Sequence, residues 1–287
     1  MDTANLSAFI KVAETGSFSI AAQQLFITQP AISKRIKQLE LQYRSKLIDR
    51  KGKSIHLTQT GHALLPRARQ ILHDIQSMQQ HISEMEGSPM GSLRMATSHH
   101  IGLHRLPPIL RAFTSQYPDV NLGLSFMDSE QACELIQHNE LDLAVVTLPT
   151  KQSVKLDYKI IWVDELIITC ANDHPLTGLP NPQLQDLTQH PAVLPSHGTF
   201  TREAIEKSLA DVREGLIINL ETNYLETIKM MVSVGLGWSI LPHSMLDDSL
   251  HHLVIPGFSS SRELGIILNK TRTRSKALSA MFELITA

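Results

Sequence analysis

The sequence has little cysteine: Cys133 and Cys170 are the two thiols in 287 residues. Two distant thiols give no disulfide framework, which excludes the small stapled secreted scaffolds and fits a reducing compartment. No run of about 18 apolar residues occurs, so no membrane span is expected. The opening Met1-Asp2-Thr3-Ala4-Asn5 lacks a basic stretch followed by an apolar one. A secretory leader is therefore not expected, and the chain reads as cytoplasmic. Glycine-rich phosphate loops, nucleophile elbows and zinc-type His/Cys spacings are all missing. The expectation is a protein that is not an enzyme, with no catalytic residue and no cofactor.

The hydrophobic fraction of 42% is ordinary for a globular chain. The length suggests two or three units. Charge is unevenly spread. Residues 1–62 hold nine Lys/Arg and four Asp/Glu, a net of +5, while the remaining seventeen and twenty-four give −7. A basic head on an acidic body is the footprint of a nucleic-acid reader joined to something else. Taken alone, the asymmetry fits chance clustering on a solvated surface equally well.

The head resolves that choice. Leu6, Phe9, Ile10 and Ala13 recur at helical spacing over residues 5–15, and Gly16 stops the helix. Ser17 caps a second helix that turns Ala21, Ala22 and Leu25 inward. Thr28 then caps a third, with Pro30 in its first turn and Ile32, Ile36 and Leu39 as its buried stripe. Its other faces carry Gln29, Ser33, Lys34 and Lys37, groups suited to base edges and phosphates in a major groove. The short helix-turn-helix spacing disfavours a plain amphipathic helix with a solvated basic face. Residues 50–58 read as a β-hairpin wing turning at Gly52, with Arg50 and Lys53 placed to follow the DNA backbone or enter a minor groove. The expected DNA contacts are thus Gln29, Pro30, Ser33, Lys34, Lys37, Arg50 and Lys53.

Gly16-Ser17-Phe18, Ala21-Ala22, Gln29-Pro30-Ala31-Ile32-Ser33, Leu39-Glu40, Leu57-Thr58 and Gly61 together resemble the winged helix-turn-helix of LysR-type transcriptional regulators. One departure follows the third helix. Tyr43-Arg44 and Leu47-Ile48-Asp49-Arg50 stand where the family has Leu-Gly and Leu-Phe-x-Arg. Without the glycine, the exit from the recognition helix is expected to be distorted.

From Gly61 to Met85, Leu64, Ala68, Ile71, Ile75, Met78, Ile82 and Met85 alternate intervals of four and three. That is a heptad seam, and it predicts a dimer contact through Ala68, Ile71, Ile75, Met78 and Ile82, with packing inside the chain as the alternative. Gly87-Ser88-Pro89-Met90-Gly91 marks a hinge.

Beyond it, strand and helix signals alternate, which predicts α/β with mainly parallel sheets. Ligands on such sheets sit beyond the carboxyl ends of strands. That rule selects Thr97, Ser98, His99, Ser129, Thr147, Ser196, His197, Thr199 and Asn223 as effector contacts. The rival reading makes the Ser and Thr residues simple helix caps. Polar strand ends and fourteen histidines hint at a small carboxylate effector.

Leu106-Pro107, Tyr117-Pro118, Leu141-Asp142-Leu143-Ala144, His174-Pro175-Leu176 and 234–242 (VGLGWSILP) resemble the effector domain of the same family. The resemblance implies two α/β lobes of periplasmic-binding-protein type joined by two crossovers. It divides the chain into a DNA-binding domain at 1–60, a linker helix at 61–87 and an effector-binding domain at 91–287. Lobe I then covers about 91–162 and 264–287, and lobe II about 163–263. It also implies operator DNA and a small-molecule effector as partners, assembly as a dimer and then a tetramer, and RNA polymerase as an admissible further partner. Three rivals stay open. One is a redox-sensing regulator using Cys133 and Cys170. Another is a metal-responsive regulator using His99, His100 and His104, although these lack a neighbouring Cys or paired acid and no metal site is assigned. The third is a stand-alone solute-binding protein, which the basic head opposes.

Overall fold

The computed structural model describes residues 2–51, 54–84 and 87–287, with side chains throughout except at 50, 51, 54, 76, 77 and 80–84. Two compact units divide it, one of Met1–Gly87 with His138–Glu140, the other of Ser88–Gln137 and Leu141–Ala287.

The first unit opens with helices α1 (Thr3–Thr15), α2 (Phe18–Gln24) and α3 (Gln29–Tyr43). Each starts on a side-chain cap: Asp2 accepts from Ala4 N–H, Ser17 from Ile20 N–H and Thr28 from Ala31 N–H. Gly16 closes α1 in the left-handed region at φ 60°. Leu6, Phe9, Val12, Ala21, Ile32, Leu39 and Leu47 are wholly buried in one core.

The exit from α3 is not distorted. Arg44 itself takes the left-handed conformation, at φ 50°, and its N–H reaches Leu41 O at 3.2 Å. The helix therefore stops as it would at glycine, with a side chain carried in a conformation that costs roughly 1–2 kcal/mol. Glu40 braces the loop beyond, accepting Leu47 N–H at 3.0 Å and pairing with Lys46 at 3.0 Å. Strands β1 (Ile48–Lys51) and β2 (Ser54–Leu57) form the antiparallel wing, with Lys51 opposite Ser54. The predicted contact Lys53 lies outside the described residues, as does the Arg50 side chain.

Helix α4 (Gln59–Glu84) follows. Gly61 in its first turn admits no side chain, since a Cβ there would stand 2.2 Å from Leu47 O. The seam on α4 needs a correction. Ala68 is wholly buried in the head's own core, and Leu64 and Ile71 pack against that core. Ala68 is thus already spent inside the chain, while Leu64, Ile71 and Ile75 are half-buried and Met78 is 56% exposed. The side chains of Ile82 and Met85 lie outside the described residues.

The second unit runs β3 (Gly91–Thr97), α5 (His99–His104), α6 (Pro107–Gln116), β4 (Val120–Phe126), α7 (Ser129–Gln137) and β5 (Leu143–Thr147). Then come β6 (Leu156–Cys170), β7 (Pro191–Leu194), α8 (Phe200–Ser208), β8 (Ile217–Glu221) and α9 (Leu225–Ser233). It ends with β9 (Ser239–Pro242), β10 (His251–His252), β11 (Ser260–Asn269) and α10 (Lys276–Thr286). In lobe I, β3 pairs in parallel with β4 and β5, and α5, α6, α7 and α10 cover the sheet. In lobe II, β7 pairs in parallel with β8, and α8 and α9 pack over it.

The lobes are joined by β6 and β11, which run antiparallel from Leu156↔Asn269 to Leu166↔Ser260. The upper end of β6 then pairs with β9 and β10. The sheet is therefore mixed, not mainly parallel. Both crossover strands are long, β6 with 15 residues and β11 with 10. Amphipathic alternation is weak there because β6 is exposed on its middle stretch and buried on its ends.

Two features of lobe II explain its glycine–tryptophan motif. Trp238 is wholly buried, and its indole N–H is shared between Leu187 O at 3.0 Å and His190 O at 3.1 Å. Gly237, at φ 150°, lets this segment close on β7, since a Cβ would stand 2.2 Å from Pro191 O. In lobe I, Asp142 is buried between Arg94 and Arg272 and accepts the Arg94 N–H. Burial opposes its ionisation, but the two guanidiniums outweigh it and hold the carboxyl below the usual carboxylate range.

Candidate functional site

On the head, the buried stripe of Ile32, Ile36 and Leu39 leaves Gln29, Pro30, Lys34 and Lys37 exposed and Ser33 half-buried. Gln29 and Ser33 lie one turn apart, and the Gln29 amide donates to Ser33 Oγ at 3.2 Å. These five predicted DNA contacts therefore share one side of α3. At the turn before them, Phe26 sits at φ 54° and is 94% exposed. Sequence reasoning passed over Phe26, because an aromatic in a two-helix turn looks like core.

In the body, a cavity of about 280 Å³ lies between the lobes. It brings together Ser98, His99, Ser129, Thr147, Thr199 and Asn223 from the predicted set. Three predicted residues fall outside it. Thr97 is wholly buried, its hydroxyl donating to Val145 O at 2.8 Å. His197 is exposed beyond the lining. Ser196 uses its N–H on Asn223 Oδ1 at 3.0 Å. Thr199 lines the cavity but acts as a cap, accepting Arg202 N–H and donating to Ser196 O. Ser129 accepts Thr147 N–H at 3.2 Å. Ser98 precedes α5 without making a side-chain cap bond, and it lines the cavity.

The lining also holds groups that sequence reasoning did not assign: Asp128, Glu130, Thr201, Tyr224 and Arg262. Several of them are already engaged across the lobes. Asn223 Nδ2 donates to Asp128 at 2.8 Å, and Phe200 N–H at the start of α8 donates to Glu130. Burial pushes the Glu130 carboxyl up, partly countered by that backbone N–H. Arg262 is buried, bonded to Asp164 at 2.9 Å and to Thr201 at 3.0 Å. Asp164 also holds Arg105 at 3.0 Å. At one edge His99, His100 and His104 converge on Glu226 at 3.3, 3.1 and 3.0 Å. Burial opposes ionisation of Glu226, yet hydrogen bonds from His100, its own backbone and His99 bring its pKa to about 2. Arg262 lies within β11 and not at a strand end, so the strand-end rule could not select it.

Residues 3–62 match the family described as bacterial regulatory helix-turn-helix protein, lysR family, and residues 86–287 match the LysR substrate binding domain. The chain belongs to the LysR family of transcription regulators. It is 30% identical to the HTH-type transcriptional activator CmpR of Synechocystis sp. over 93% of this chain and 89% of that protein. It is 31% identical to a probable RuBisCO transcriptional regulator of Nostoc sp., over 94% and 83% respectively. The fold matches a full-length OxyR variant of Pseudomonas aeruginosa with a TM-score of 0.73 at 20% identity, covering 100% of this chain and 98% of that one. It matches full-length CbnR complexed with its target DNA with a TM-score of 0.70 at 22% identity, covering 99% of each.

Burial raises Cys133 to about 12 and Cys170 to about 11, so both stay protonated and weakly nucleophilic near neutral pH. Among the described residues, no helix is long and apolar enough to cross a membrane.

Proposed function

We propose that this regulator reads operator DNA with α3, assembles through the free end of the α4 seam, and answers to a small polar effector held between its lobes. The observation that carries the reading is the cavity itself: polar groups from both lobes meet there, and several of their mutual bonds run across it. A ligand that replaces those bonds binds one arrangement of the lobes better than another, and that difference in affinity is what shifts the regulator between states.

On DNA, Gln29 and Ser33 face base edges, Lys34 and Lys37 face phosphate, and Pro30 sets the first turn. Arg50 and Lys53 on the wing support them through the backbone. Phe26 adds an apolar contact beside the same groove. Ile75 and Met78 carry the dimer contact, and a tetramer follows from pairing of bodies. The same reading makes the protein cytoplasmic, non-enzymatic and a neighbour of RNA polymerase at the promoter.

The carboxylate effector enters this reading in one form. An acid takes the α8 N-terminus only by displacing Glu130 from Phe200 N–H, and Ser98 and His99 supply its other contacts. A metabolite screen by thermal shift on the full chain, repeated with Ser98→Ala, tests the proposal. A compound that stabilises the wild type and alters its operator binding, with the response lost in Ser98→Ala, supports it. A compound with equal effect on both variants places the effector elsewhere. For assembly, Met78→Glu should split the dimer in sedimentation, because it sets a charge in the seam.

A further inference from the structure

We infer that His100, His104 and Glu226 form a binding site for a divalent transition-metal ion of the zinc class, joining α5 of lobe I to α9 of lobe II. His100 and His104 are four residues apart on α5, so their rings share one face, with centroids 4.7 Å apart. Glu226, in the first turn of α9, reaches between them. Its Oε1 stands 3.1 Å from His100 Nδ1 and 3.0 Å from His104 Nε2, and the three donor atoms all lie within 4.8 Å of one another. Donors around a tetrahedral zinc with bonds near 2.0–2.1 Å stand roughly 3.3 Å apart. The two carboxylate–imidazole spacings are thus close to the edges of such a polyhedron, and a modest shift of the rings admits the ion. His104 is 52% exposed, so water can reach the cluster from its side.

The donor set selects the metal. Two imidazoles and one carboxylate suit zinc and its neighbours, whereas magnesium and calcium require mainly oxygen. The site also has an orienting group beyond the ligands. His99 Nδ1 lies 3.3 Å from Glu226 Oε2, and the His99 ring is held edge-on to Tyr224 and Phe126. Such outer partners fix the direction of a ligating carboxylate. His100 is 5% exposed, and its Nε2 has no hydrogen-bond partner among the described residues. Its polar commitment is therefore made through Nδ1, the atom aimed at Glu226. The histidine triplet, read without an acid in sequence, finds its acid 122 residues downstream of His104. Because His99 and His100 also line the effector cavity, an ion here ties the lobes together at that cavity's edge.

The rival arrangement is a metal-free clasp in which the imidazoles only donate hydrogen bonds to Glu226. Zinc titration of the full-length protein, stripped with a chelator and followed by competition with a chromophoric zinc indicator, separates the two. The expected result is one zinc ion per chain in the wild type. His104→Ala and Glu226→Gln should each weaken it by more than about 10-fold, the loss that even outer partners of a ligand can produce. His62→Ala, an exposed histidine on α4, should bind as the wild type does. His104 is exposed enough for its removal to leave packing intact, which unchanged circular dichroism of the apo-protein would verify. Cobalt(II) should give the visible absorption of a four-coordinate site in the wild type and lose it in His104→Ala. Wild-type protein that binds no stoichiometric zinc, or zinc affinity equal in the wild type and the His104→Ala/Glu226→Gln double variant, overturns the proposal.

Discussion

The head and the body treat their polar side chains in opposite ways. On α3, Gln29, Lys34 and Lys37 stand outward from a largely apolar core. In the body, Asp128, Glu130, Glu226, Asp164 and Arg262 are turned on partners across the lobes or at their crossing. On the proposed reading, the head presents its DNA-facing groups ready-made. The body would exchange existing bonds for ligand bonds, which suits a sensor whose bound and free states differ. A static set of exposed groups binds; a set of groups already paired can switch.

The largest way to break that contrast is to unpair an inward charge. Asp142→Asn leaves the half-buried Arg94 and Arg272 around a buried neutral amide. Removing one partner of such a cluster costs about 3–5 kcal/mol. Urea unfolding of the full chain should lose that much from the body's transition while the head's transition stays in place. The pH dependence has a definite sign. The native pKa of Asp142 is lowered, so its contribution is fully present above the ordinary carboxylate value of 3.8 and is lost as pH falls below it. Acid should therefore weaken wild-type lobe I in a range where Asp142→Asn shows less change.

An outward group should behave otherwise. Gln29→Ala is expected to leave unfolding unchanged and to remove about 1–3 kcal/mol of discrimination between operator and scrambled DNA. Lys34→Ala should weaken binding to both DNAs alike and flatten the salt dependence by about one unit of slope. Gel-shift titrations over a range of salt concentrations separate these outcomes. Equal discrimination by wild type and Gln29→Ala would remove Gln29 from the reading face.

The contrast also explains what could be read without coordinates. In the head, each local signal agrees with the next. The caps Ser17 and Thr28, the stop at Gly16 and the stripe Ile32/Ile36/Leu39 all lie within a few residues of what they control. The cavity depends on pairings that span 70 residues between Glu130 and Phe200, and 95 between Asp128 and Asn223. Strand ends led to the region of the cavity because backbone topology alone sets them. Which polar groups turn inward was not legible, so Thr97 and His197 were included and Glu130 and Arg262 were not. Ala68 and Ile71 show a related limit: a heptad seam states that an apolar face will be covered, not by which partner.

A smaller effect probes the inward pairing at the cavity. Glu130→Ala removes the carboxylate from Phe200 N–H and leaves the start of α8 open. An anion at a helix N-terminus is worth about 0.3–1 kcal/mol near the surface, and up to about 2 kcal/mol when partly buried. The variant should lose about 1 kcal/mol of body stability and regain part of it in millimolar sulfate, where the wild type responds less. Equal sulfate response in both proteins would mean that Glu130 does not guard that position.

The smallest effect belongs to the head, at its one departure from the family pattern. Arg44 holds a left-handed conformation that an L side chain adopts at a cost of roughly 1–2 kcal/mol. Glycine meets that conformation without strain but brings back about 0.5–1 kcal/mol of chain entropy in the unfolded state. The balance favours Arg44→Gly by about 0.5 kcal/mol, visible as a slight rise in the denaturant midpoint of the head. Loss of the Arg44 charge should at the same time leave base discrimination untouched, because the residue lies at the far end of α3 from Gln29 and Ser33. A lower midpoint would mean that the Arg44 side chain makes contacts worth more than the backbone strain, and that the arginine is there to hold the recognition helix rather than merely tolerated at its end.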